Sequence, residues 1–175
     1  MSTPQPLGAP FAVSNRILAA SLMGALVVMG VALSFVLPRE GSFPVVVLLV
    51  QLVAGVVVHV LLDAVGYRTP PLATGLTEEA AVAQARARWQ AGMILRFALA
   101  ELIAIVSIAA AFVLPEGDIT VYLGGAVVSL VLMVVHVWPG ARPVGKAATA
   151  LEAGGTRSGL RETFGLSEPG PVQRL

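Results

Sequence analysis

The sequence predicts an all-α membrane protein of four transmembrane helices, arranged as two tandem-repeated helical hairpins with both termini cytoplasmic. Three observations predict it. Hydrophobic residues make up 57% of the 175 and charged residues only 12%, about half the charge of a typical soluble domain. Four apolar runs each come close to or exceed the ~20 residues that cross a bilayer core. Two four-residue words also recur at a single offset. Phe35-Val36-Leu37-Pro38 returns as Phe112-Val113-Leu114-Pro115, and Val57-Val58-His59-Val60 returns as Val134-Val135-His136-Val137.

Taken in order, residues 1–15 form a polar, proline-containing lead. Residues 16–37 are the first span. A signal core is shorter, about 7–15 residues, and ends at a small-residue cleavage site. This run instead meets the turn Pro38-Arg39-Glu40-Gly41, so it reads as an uncleaved span. Residues 42–62 are the second span and close the first hairpin, 16–62. Their valines favour strands in water, but in hydrocarbon an open strand leaves backbone groups unpaired, so helix prevails. Residues 63–89 form a polar cytoplasmic connection. Within it Thr77 is placed to cap a short helix, with Glu78 and Glu79 suiting the dipole of its first turn. That helix is expected to run on into the third span, 90–114. Pro115 to Asp118 make the next turn, and 119–138 is the fourth span, closing the second hairpin, 90–138. Residues 139–175 mix Gly, Pro, Arg and Glu and read as a mostly disordered cytoplasmic tail.

Orientation follows from the basic residues. Of the 11 Lys and Arg, only Arg39 falls on the side of the short turns. The positive-inside rule therefore puts both termini in the cytoplasm. Ten arginines against one lysine, with many Ala, Val and Gly, point to a GC-rich bacterial genome, and so to a multi-pass protein of the bacterial plasma membrane. The absence of cysteine excludes disulfides, thiolate metal sites and Cys nucleophiles. The basic residues lie near membrane edges, which argues against nucleic acid as a partner.

Lipid gives helices no hydrophobic reason to associate, so packing should use small residues. The first span offers Ala20 and Gly24, then Gly30 and Ser34. The third offers Ala100, Ala104, Ser107 and Ala111. The fourth offers Gly124 and Gly125. Two such hairpins in one orientation imply a symmetry axis along the membrane normal.

Chemistry-bearing groups inside the spans are few. Glu101 borders the small face of the third span and is expected to point into the bundle. Gln51 and Ser107 are the other mid-membrane polar groups considered with it, as a possible proton- or cation-binding set; Ser129 is a further one. Arg96 is expected to snorkel to the headgroups as an interfacial anchor. Its five-residue separation from Glu101 places the two on different faces. His59 and His136 occupy equivalent places in the two hairpins. Paired histidines on facing helices can ligate haem or a metal, although an inherited interfacial histidine explains them as well.

The run Phe97-Ala98-Leu99-Ala100-Glu101-Leu102-Ile103-Ala104-Ile105, continuing to Leu114, resembles the carboxylate-bearing helix of the rotor ring subunit c of rotary ATP synthases. The resemblance covers one span of four. It implies that Glu101 stands where that family carries its ion-binding carboxylate. The first span lacks the family's close-packed glycine repeat, and the connection is much longer than the family's loop. As a whole the chain resembles the small four-span proteins of GC-rich bacteria.

No catalytic constellation or cofactor motif emerges. The favoured expectation is a non-enzymatic accessory or assembly subunit that packs in the bilayer against a larger membrane complex or itself. The alternative is translocation of a proton, cation or small solute centred on Glu101. A haem-binding redox protein using His59 and His136 ranks third.

Overall fold

The computed structural model describes residues 9–39, 44–115 and 117–166. The first eight residues of the lead, the turn residues 40–43, Glu116 and the last part of the tail, 167–175, lie outside the described residues. Among the described residues six helices follow one another: α1 (Ala9–Leu33), α2 (Val45–Val65), α3 (Glu78–Val113), α4 (Ile119–His136), α5 (Ala141–Leu151) and α6 (Leu160–Thr163). A short 3-10 turn at Glu152–Gly154 follows α5. The first four helices are long and apolar enough to cross a membrane.

Helix boundaries differ from the expected ones for identifiable reasons. α1 begins seven residues before the expected 16, because Pro10 sits in its first turn, where a missing N–H is harmless. It ends at Leu33, and Ser34 to Leu37 turn back on the carbonyls of Gly30 to Leu33. α2 runs past 62 to Val65, where the Gly66 N–H closes it on the Leu62 carbonyl. Thr77 caps α3, its hydroxyl accepting from the Ala80 N–H at 3.3 Å. The polar turn and the third span are one 36-residue helix, roughly 54 Å long at 1.5 Å per residue. Asp118 caps α4 by accepting from the N–H groups of Thr120 and Val121.

α4 is the centre of the bundle. It packs most extensively on α3 and also touches α2 and α1. Small residues allow this closeness. A Cβ on Gly125 would collide with the Ser107 side chain and meet the Ile103 carbonyl at 3.1 Å. A Cβ on Gly124 would strike Leu48 and Gln51 of α2. The third span's Ala100, Ala104, Ser107 and Ala111 are all buried, as a small packing face requires. Among the described residues α1 and α2 make no extensive contact with each other, so the first hairpin straddles α4 rather than closing on itself. α1's outward small residues differ from expectation too. Gly30 is buried against the Tyr122 ring, but Ala20 is exposed and nothing lies within 4 Å of a Cβ built on Gly24.

The tail is the clearest departure. Residues 139–175 were expected to be mostly disordered, yet residues up to 166 are folded onto the bundle. α5 buries Pro143, Val144, Ala147, Ala148 and Leu151 on one face. The Leu72 N–H donates to the Leu151 carbonyl at 2.8 Å, stitching the tail to the connection. Leu160 and Phe164 are also buried, the ring of Phe164 lying 5.0 Å from Trp89 and 5.8 Å from Phe11. Fully burying an aliphatic side chain contributes roughly 1.5–3 kcal/mol. Val144, Leu151 and Leu160, each fully buried, are part of what holds a segment that composition alone reads as loose.

Candidate functional site

The polar groups of the bundle collect at one end, where α2 and α4 finish and α3 continues past them. The last carbonyls of any helix lack intrahelical donors. Here Arg96 supplies them. It is 1% exposed; its Nε donates to the His136 carbonyl at 2.8 Å and its Nη1 to the Gly66 carbonyl at 3.1 Å. One guanidinium thus closes the ends of α4 and α2 together, where the negative ends of both dipoles favour a cation. Its planar face lies 4.7 Å from the Tyr67 ring and 5.0 Å from Trp89. The expectation that Arg96 snorkels to the headgroups is therefore corrected. α2 and α4 end at its own level, so the guanidinium meets protein carbonyls before it reaches the surface.

Beside Arg96 the two histidines touch. His136 Nε2 and His59 Nδ1 are 2.9 Å apart, and His136 Nδ1 is 3.0 Å from the Tyr67 hydroxyl. A neutral imidazole has one donor and one acceptor nitrogen. With Tyr67 donating to His136 Nδ1, His136 donates to His59 Nδ1, and the remaining N–H of His59 faces Asp63, 3.9 Å away. Asp63 is held by Arg142 at 2.8 Å and by Lys146 at 2.8 Å, both from α5. Burial pushes the Tyr67 phenol above its ordinary range, with Asp63 adding to the rise and the Arg96 and Arg142 charges opposing it. Tyr67 is thus a neutral hydrogen-bonding group.

The expected pairing of His59 with His136 is met by direct contact. In this arrangement the two rings form a hydrogen-bonded pair. Among the described residues no group of three His, Cys, Asp or Glu is placed to hold a metal ion.

The other expected set divides. Gln51 and Ser107 do meet: Gln51 Nε2 donates to Ser107 Oγ and to the Val121 carbonyl, each at 2.8 Å. Ser107 in turn donates to the Ile103 carbonyl at 2.7 Å. Ser129 accepts from the Ala104 N–H at 3.0 Å. Glu101 does not join them. It is partly exposed on another face of α3, and no hydrogen bond or ion pair among the described residues involves it. Six residues separate Glu101 from Ser107, which is about 600° of helix, so the two cannot share a face.

Sequence reasoning missed Tyr67, Arg142 and Lys146. Tyr67 follows the end of α2 and carried no motif. Arg142 and Lys146 lay in the tail read as disordered, although Val144, Ala147, Ala148 and Leu151 have the spacing of a helical apolar face. Asn15 was also missed. It is buried, and accepts from Trp89 Nε1 at 3.2 Å, tying α1 to α3.

Among the described residues the fold is all-helical, with four helices long and apolar enough to cross a membrane. No protein family matches the chain, and no curated protein or solved structure shows significant similarity to it.

Proposed function

We propose that the chain is a non-enzymatic, multi-pass protein of the bacterial plasma membrane, with cytoplasmic termini, that works by helix–helix association. It would serve as an accessory or assembly subunit of a larger membrane complex, or assemble with copies of itself. The observation that carries this reading is the unused small-residue stripe of α1. Ala20, Ser21 and Ala25 are exposed, and a Cβ on Gly24 meets nothing within 4 Å. Small residues four apart let helix backbones approach closely in lipid, and among the described residues no helix takes that place. On α4, Leu123, Val127, Val131 and Val134 are exposed as well. The buried polar side chains, by contrast, are largely engaged in ties between helices, as a scaffold requires.

The test is gentle extraction followed by a pull-down and cross-linking, comparing the natural chain with Gly24→Leu. The natural chain should recover a membrane partner or a second copy, and Gly24→Leu should lose it without changing the thermal unfolding of the protein. A natural chain that runs alone as a monomer under these conditions would sink the reading. A second reading is favoured by one observation, the mid-helix carboxylate of Glu101 without a described partner. It makes the protein a proton or cation carrier, in line with the resemblance of its helix to rotor subunit c. Proton uptake into liposomes that is the same for Glu101→Gln would remove it.

A further inference from the structure

A cavity of about 250 Å³ opens beside Arg96, between the end of α2, the middle of α3 and α5. Arg68, Arg88 and Arg96 line it together with Tyr67, Thr69 and Trp89, and no acidic residue does. Among the described residues no carboxylate pairs with any of the three arginines. Arg88 Nη1 is held by the Pro70 and Pro71 carbonyls, at 2.6 and 3.1 Å, which are neutral partners. Arg68 is exposed at the mouth. Arg96, at the back, is 1% exposed, and its Nη2 has no hydrogen-bond partner. Two helix ends and two aromatic rings face the Arg96 guanidinium, but among the described residues no anion does, and its Nη2 keeps an unused N–H on the planar fork that suits phosphate.

The geometry points to a phosphate-binding site in this cavity, with Arg96 at its base and Arg68 and Arg88 at its rim. The level of the site restricts what reaches it. It stands where α2 and α4 end and where most of the chain's arginines gather, which is headgroup depth for a bundle of this kind. Basic pockets between spans on the positively charged side attract anionic lipid headgroups. A phosphodiester presented by a lipid and a free phosphate offer the same oxygens to the arginines. The two sources are separable by experiment. The inference does not depend on the proposed assembly role.

Trp89 lines the cavity with its ring against Arg96 and provides the signal. The full chain carrying Trp138→Phe, in micelles of zwitterionic detergent, is titrated in turn with phosphatidylglycerol, phosphatidylcholine and inorganic phosphate while Trp89 emission is followed. A saturable response to phosphatidylglycerol and none to phosphatidylcholine, whose choline cancels the charge of its phosphate, identifies an anionic phospholipid headgroup. A saturable response to inorganic phosphate that phosphatidylglycerol does not match identifies the free ion. In either case Arg68→Gln should weaken binding about fivefold, and Arg68→Gln with Arg88→Gln about thirtyfold, at roughly 1 kcal/mol per arginine. Arg68 is exposed, so its replacement leaves the fold intact. No saturable response to either phosphate, or affinities unchanged in both variants, overturns the site.

Discussion

In the second hairpin α3 and α4 lie in close contact, whereas in the first α1 and α2 stand apart and α4 fills the space between them. The two hairpins carry the same two four-residue words, so those words do not account for the difference. At the shared offset, Ser107 and Gly125 of the tight seam correspond to Gly30 and Leu48. A glycine at 125 admits the Ser107 side chain. A leucine at 48 does not offer that opening, and its side chain packs on Gly124 of α4 instead. Gln51 deepens the contrast, since it sends its amide from α2 across to α3 and α4 rather than toward α1. A glycine at 125 thus marks the closed pair of helices and a leucine at 48 the open pair.

The largest way to break this contrast is at the shared end. Arg96→Gln leaves the ends of α2 and α4 without their common donor and should lower stability by about 3 kcal/mol, since hydrogen bonds from a charged group contribute roughly 1.5–3 kcal/mol each. Unfolding in mixed micelles measures it, with Arg96→Lys recovering part of the loss. Next comes Gly125→Leu, which gives the second hairpin the residue found in the first. Overpacking of this kind costs about 1–3 kcal/mol. Cysteine pairs placed across the α3–α4 seam should then cross-link more slowly, and rates equal to the natural chain's would count against the role given to this glycine.

Gln51→Leu should have a smaller effect, about 1 kcal/mol, because interhelical hydrogen bonds in membranes average near 0.6 kcal/mol each. The same micelle unfolding reads it. The smallest effect concerns the tail. Burial opposes ionisation of Glu152, but hydrogen bonds from Ser158 and the Arg161 ion pair outweigh it and hold the carboxyl below the usual glutamate range. With the folded value depressed, this contribution is fully present above the unfolded value and fades as pH falls through the folded one. Limited proteolysis should therefore cut the segment around residues 152–161 faster at acid pH, and Glu152→Gln should make cutting independent of pH in that range.

Much of the bundle was readable in advance because hydrocarbon imposes simple rules. Length and apolarity mark a span wherever the chain is long enough. His59 and His136 were visible as members of one recurring word, and the structure brings their rings within 2.9 Å. Arg96 was misplaced because a single helix does not reveal where its neighbours stop. The depth of a charge is set by those neighbours. Glu101 was expected inside because it borders small residues, yet α4 takes only the Ala100, Ala104, Ser107 face and leaves the adjoining face partly open. The tail was misread because its order comes from partners distant in sequence. Val144 and Leu151 find Leu72 and Trp89, which no local composition encodes.

The seating of Phe164 has a bearing on timing. Its ring covers Phe11 and Trp89, and its carbonyl accepts from Arg16 Nη2 at 3.4 Å, a link across 148 residues. During synthesis α1 leaves the ribosome before α2, α3 and α4, and the residues that cover its end follow only after all four long helices. Until then Phe11 and Trp89 lack the ring that packs on both of them. Contacts among the four long helices can therefore form before this corner of the fold closes.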